Sequence, residues 1–182
     1  EDTDFTLYMR NRTYLSEQAN SYDMSAVFPT QTLGTDYVVQ TFWLDQSYTE
    51  FAIIATEDNT TINIKPRCQT LKSDEISWYA AGTTITKTLA KKGDVYLLKG
   101  PSADDDAPFW NLSGTTIGAS KPVAVFQGGM LAFIPEGSGL SGDHIFEQAL
   151  PVYTWGKRFV AMNMSAFPDG SIDRGSKPTE YL

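Results

Sequence analysis

The strongest constraint on this chain is the period of its apolar residues. Short runs rich in Val, Ile, Thr, Phe and Tyr alternate with turn-forming clusters, and no helical period persists anywhere in the 182 residues. Such patterning predicts an all-β fold, because side chains on a half-buried strand alternate between faces with a period of two. We expect an antiparallel β-sandwich built from repeated modules. A propeller-like β-repeat is the alternative, since repeated short strands also suit blades.

Taken in order, Phe5–Met9 alternates as a strand and gives way to a polar stretch, Ser16–Asp23, whose lack of periodicity suggests a loop, with a strand or a short helical turn as the alternatives. Tyr37–Trp43 reads as a strand buried on both faces in its middle. Phe51–Thr56 and Thr60–Ile64 flank Glu57-Asp58-Asn59, residues that tolerate the left-handed region and bond their own backbone, so a hairpin is predicted there. Thr83–Leu89 and Val95–Leu98, joined by Lys91-Lys92-Gly93-Asp94, predict a second hairpin. Val123–Phe126 is a compact apolar strand, with Pro122 expected at its beginning and Gly128-Gly129 at its end. Ser102–Pro108, with three adjacent aspartates, reads as a solvated surface loop, and Ile134–Gly142 as an irregular one.

A degenerate pattern occurs twice, 122 residues apart: Pro29, Leu33-Gly34, Tyr37-Val38, and then Pro151, Trp155-Gly156, Phe159-Val160. The shared types have a common chemistry. Proline fixes φ, a large apolar residue anchors, glycine permits a turn, and an aromatic-Val pair starts a strand. We therefore expect positive φ at Gly34 and Gly156. Trp155 and Phe159 are expected as core anchors, because an aromatic ring of ~150–250 Å² contributes several kcal/mol on burial. The repeat divides the chain into residues 1–50, ending one β module, and residues 51–182, a second that continues past the chain end.

Composition limits the chemistry. One cysteine, Cys68, excludes an intramolecular disulfide and a cysteine-based zinc cluster, and with one histidine, His144, a zinc site would draw most ligands from carboxylates. No metal or other cofactor is expected. The net charge of −8, with basic residues scattered, argues against nucleic acid as a partner. No apolar run reaches the ~20 residues of a spanning helix, and the N-terminus lacks the regions of a signal peptide, so the signal of an exported form would have been removed or would lie outside this chain.

Asp143, His144 and Glu147 form the densest cluster of reactive side chains. A carboxylate there could orient the imidazole, but a nucleophile and an oxyanion hole would have to come from elsewhere; no Gly-x-Ser-x-Gly elbow occurs, and Ser138 and Ser141 lie in a glycine-rich loop. The plain reading of Asp143-His144 is a cap, the aspartate accepting backbone N–H groups while the imidazole packs beneath it. No catalytic residues are assigned, and a carbohydrate-active enzyme is the least favoured reading. Four sequons occur, at Asn11, Asn59, Asn111 and Asn163, with Asn59 best placed at a turn.

Several runs then fall into a recognisable order: Ala55–Ile62, Leu112–Ile117, Lys121–Phe126, and Asp143-His144 with Glu147-Gln148, Pro151 and Trp155-Gly156-Lys157. Together, over about residues 26–162, they resemble the IgGFc-binding protein N-terminal domain family. The resemblance implies a non-catalytic extracellular or cell-surface adhesion module, with its signal peptide absent from this chain. Its implied partner is a protein or glycoprotein, among them immunoglobulin Fc or mucin glycans, and Asp143, His144 and Glu147 are the residues to which binding is assigned. Animal members carry cysteines between positions matching Gly129 and Asp143, where this chain has none, so it is more similar to the disulfide-free bacterial branch. A structural spacer in a large surface protein is the alternative function; an exposed aromatic patch would favour recognition over it.

Overall fold

The computed structural model describes residues 4–16, 19–42, 48–72, 77–101, 111–132 and 143–160. The loops expected at Ser102–Pro108 and Ile134–Gly142, with Ser138 and Ser141, and the sequon at Asn163 lie outside the described residues. Regular structure within them consists of antiparallel β-strands and two short 3-10 turns.

One long strand, β10 (Thr116–Ala132), organises nine of the strands into a single hydrogen-bonded system. Its first part, Thr116–Ala119, lies between β3 (Gly34–Val38) and β5 (Thr60–Lys65). Its later part pairs with β4 (Thr49–Ala55) over Val123–Gly129 and with β11 (Asp143–Gln148) from Phe126 onward. Outside β5 lies β8 (Ile85–Leu89), and outside β4 lies β9 (Val95–Lys99), followed by β6 (Thr70–Leu71) and β7 (Trp78–Tyr79). The order ends at β7 and β8 without closing into a barrel.

Neither predicted hairpin forms. β4 and β5 both pair antiparallel to β10, so they run the same way along one side of it instead of pairing with each other. β8 and β9 repeat this one strand further out, against β5 and β4. The turn chemistry read from the sequence is present: Asn59 has φ 54° and Gly93 φ 89°. What differs is the use of the turn, which carries the chain round a corner between two layers instead of reversing it within one, as happens where strands switch sheets.

Pro122 sits at the matching corner of β10, between the residues that pair with β5 and those that pair with β4, so its missing N–H costs no bond to either strand. It is thus inside a strand and not at the start of one, and Gly128-Gly129 continue the same strand. The corners stack on one another. Gly93 N–H donates to the Ala55 carbonyl (2.8 Å), Asn59 N–H to the Ala90 carbonyl (3.1 Å), Lys92 N–H to Asp58 Oδ1 (2.8 Å) and Thr61 N–H to Ser120 Oγ (2.9 Å). Lys91 and Lys121 add exposed ion pairs to Asp58 and Glu57, which contribute little in water. Asp58 and Asn59 therefore serve the corner.

Side chains from both sides of the corner share one core. Phe51, Ile53, Val125 and Leu98 from one side pack in the same buried cluster as Ile62, Ile64, Ile85 and Ile117 from the other. β4 shows the cause in its sequence, since Thr49, Phe51, Ile53 and Ala55 alternate inward with less buried neighbours.

β1 (Leu7–Ser16) and β2 (Ala19–Val27) form a separate hairpin that lies along β11. Most of the stretch expected as a loop therefore belongs to β2. Two strands alone are marginal in water, and this pair is held by side chains reaching the outer edge of β11. Asp23 Oδ2 accepts the Phe146 N–H, and Ser25 Oγ accepts the Gln148 N–H at 3.0 Å. An edge strand that would otherwise present bare amides is covered.

The two Pro-led segments start alike. Pro29 (φ −60°, ψ 149°) leads a 3-10 turn, Thr30–Thr32, ended by extended Leu33; Pro151 (φ −67°, ψ 150°) leads Val152–Thr154, ended by extended Trp155. They then diverge, Gly34 entering β3 while residues 156–160 form no strand. Contrary to the sequence expectation, neither Gly34 nor Gly156 is among the glycines with positive φ. Gly34 is required for space, because the second segment packs on the first. A Cβ there would stand 2.7 Å from Pro151 Cβ and 3.1 Å from Tyr153 Cε1.

Candidate functional site

Strand alternation splits the Asp143, His144 and Glu147 cluster. Asp143 and Glu147 are exposed on one face of β11, and His144, three positions before Glu147, is buried on the other. Asp143 Oδ1 accepts the N–H of His144 at 2.8 Å, the local cap expected of this pair. His144 Nε2 lies 3.0 Å from Asn11 Nδ2 of the hairpin, and its ring stacks near Phe146 with centroids 6.2 Å apart. The structure thus brings Glu147 to a surface cleft and commits His144 to the seam between hairpin and sheet.

The cleft has two adjoining parts. One, of about 650 Å³, opens between β2 and β11, with Phe28, Gln40, Thr41 and Phe42 along it. The other, of about 470 Å³, runs from Phe28 and Val38 to Leu150, Trp155, Gly156 and Phe159. Both are lined by Phe28, Gln40, Gln127, Glu147 and Gln148, so a single polar strip separates and joins them.

That strip is built by register. Gln127 of β10 stands opposite Glu147 of β11, and its Nε2 donates to Glu147 Oε1 at 3.0 Å while its Oε1 accepts the Gln40 N–H at 2.9 Å. Gln148 Oε1 accepts the Phe28 N–H at 2.6 Å. Its Nε2 has no partner among the described residues, although the side chain is only 5% exposed. A buried amide donor without an acceptor is costly, of order 1–3 kcal/mol.

The walls are aromatic. Trp155 was expected in the core but is 44% exposed, and Phe159 is 81% exposed. The indole is nevertheless anchored, its Nε1–H donating to the Leu150 carbonyl at 3.3 Å. The physical reason for the correction is that residues 156–160 form no strand over this segment, so nothing described covers the ring. Among the described residues no lysine or arginine lines either part of the cleft, and the charged residues that do are Asp23 and Glu147. Among the described residues no cluster of His, Cys, Asp and Glu could hold a metal ion.

Of the three residues singled out in the sequence, Glu147 lines the cleft, beside Gln40, Gln127 and Gln148, which the sequence analysis did not assign to binding. The available signal was Gln127, an amide directly after the apolar run Val123–Phe126, where a buried polar side chain calls for partners.

The class defined by fold and site is an all-β, antiparallel sandwich carrying an aromatic-walled, amide-floored cleft. The profile of the IgGFc binding protein family matches residues 23–181, and the chain belongs to that family. It is 27% identical over 157 residues to the human IgGFc-binding protein, an alignment covering 84% of this chain and 3% of the human protein. No solved structure matches. Among the described residues no helix is long and apolar enough to cross a membrane.

Proposed function

We propose that this domain is a non-catalytic recognition module that works outside the cell or at its surface and holds a glycoprotein in the cleft around Gln127 and Glu147. The observation that carries the reading is the meeting of an anchored, half-exposed indole with a strip of amides and one carboxylate in a space large enough for a ligand. Binding sites commonly combine apolar walls with a few fixed polar groups. Family membership supports a binding role, and the name of the human relative makes immunoglobulin Fc a partner to test. The exposed rings of Trp155, Tyr153 and Phe159 favour recognition over a plain spacer. Asp143 and His144 enter this reading as supports, the first as a cap and the second as a seam residue, with Glu147 facing the ligand.

The test is surface plasmon resonance of the protein over immobilised immunoglobulin Fc and over a purified mucin. Binding to either that falls at least about tenfold in Trp155→Ala supports the cleft as the site, since tenfold is the scale of one lost aromatic contact. Binding to neither contradicts the proposal.

A further inference from the structure

We infer that the cleft takes a neutral oligosaccharide, with Trp155 as the stacking platform and the Gln127–Glu147 pair as the reader of sugar hydroxyls. This rests on the recognition reading above and goes further, since it names the chemistry that the cleft accepts.

Three observations converge on it. The first is the platform: the Trp155 indole is half-exposed and fixed by its bond to the Leu150 carbonyl, which suits the apolar face of a pyranose ring. The second is the floor. Glu147 Oε1 already accepts from Gln127, which orients the carboxylate. A sugar hydroxyl can donate to the exposed Glu147 carboxylate that Gln127 orients. A purely apolar ligand would cover that carboxylate without offering it a further donor.

The third is charge. Among the described residues neither part of the cleft has a lysine or arginine in its lining, Glu147 stands where the parts meet, and the chain carries a net charge of −8. A sialylated or sulfated glycan would bring a second anion to Glu147 with no lysine or arginine among the described lining residues, the nearest in sequence, Lys157 and Arg158, being exposed beside the lining. The site is therefore selective for uncharged sugars. Its length also fits an oligosaccharide better than a single sugar, since the two parts adjoin along the shared strip and together offer about 650 and 470 Å³.

The experiment is a printed array of lactose-, N-acetyllactosamine- and mannose-terminated oligosaccharides beside their sialylated and sulfated counterparts, with calorimetric titration of the best binder. Neutral glycans should bind, and their acidic counterparts should bind more weakly. Trp155→Ala should lose at least about tenfold in affinity. Glu147→Gln keeps the shape and should also weaken neutral binding while narrowing the gap to acidic glycans, an effect that misfolding would not produce. Tyr8→Ala, outside the cleft lining, should bind like the parent. Absence of array binding, preference for acidic glycans, or indifference to Trp155→Ala each overturns the inference. Enzymatic deglycosylation separates this result from the broader reading: if the protein still holds the stripped mucin or Fc with unchanged affinity and Trp155 dependence, the oligosaccharide claim fails and the recognition module stands. If neither intact glycoprotein nor any glycan binds, both fail.

Discussion

Pro151 packs so closely over Gly34 that a Cβ placed on the glycine would stand 2.7 Å from Pro151 Cβ. Tyr153 closes the same seam, its hydroxyl donating to the Thr32 carbonyl at 2.8 Å. The two Pro-led segments, distant in sequence, are thus fitted to each other, and the later one carries Trp155 to the cleft.

Gly34→Ala should therefore destabilise by about 1–3 kcal/mol, the usual cost of overpacking a closed contact. Gly156→Ala should cost less, because its added Cβ would meet only the outer edge of the exposed Phe159 ring, at 3.3 Å. Urea midpoints at constant slope measure both. Equal losses would contradict the packing explanation and favour a backbone one.

How far the sequence reveals this arrangement depends on whether a feature is local. The strands at Phe51–Thr56, Thr60–Ile64 and Thr83–Leu89 are legible because inward residues alternate along each. Their pairing is not legible: a hairpin and a corner both need short polar turns that tolerate residues like Asn59, and only the distant β10 decides between them. β2 reads only as an alternative to a loop because much of it is polar and its grip on β11 comes from Asp23 and Ser25, whose partners lie 123 residues away. Trp155 reads as core because apolarity is a property of the residue, whereas exposure depends on what covers it.

The hairpin seam gives a second test. Ser25→Ala leaves the buried Gln148 N–H without its acceptor, and Asp23→Ala does the same to Phe146, each at a cost of about 1–3 kcal/mol. Hydrogen exchange should show faster exchange at Phe146 and Gln148, while Ala149, whose N–H donates to the Val125 carbonyl of β10 at 2.8 Å, stays protected. Uniform acceleration along β11 would contradict this division of its two edges.

Two acids, buried Cys68 and partly buried Tyr96, predict the response to alkali. Burial pushes the Cys68 thiol up from 9.0 to about 11 and the Tyr96 hydroxyl from 10.0 to about 12. Both folded values lie above the unfolded ones, so the folded state favours the neutral forms. Their contribution is fully present below about pH 9 and is lost as pH rises through 9–11 for Cys68 and 10–12 for Tyr96. Urea midpoints should fall across that range, with the lower part of the fall removed in Cys68→Ala. A thiol reagent at pH 8 should react with Cys68 only in denaturant.

Sequon use should follow side-chain commitment. Asn59 is exposed at the corner, whereas Asn111 Nδ2 donates to the Thr41 carbonyl (3.1 Å) and Asn11 Nδ2 lies against His144. Expressed with an Asn163→Gln change in a host that glycosylates secreted proteins, the chain should carry one glycan, at Asn59. Peptide mapping that places glycan on Asn111 would contradict the bonding described for it.

The most direct test of the cleft is the indole N–H region of a nitrogen-15 correlation spectrum, where the four tryptophans report separately and Trp155→Phe assigns one signal. On addition of mucin glycopeptides or immunoglobulin Fc, the Trp155 signal should shift or broaden more than the other three. Binding at saturation that leaves the Trp155 signal unmoved would contradict the claim that this cleft is where the module holds its ligand.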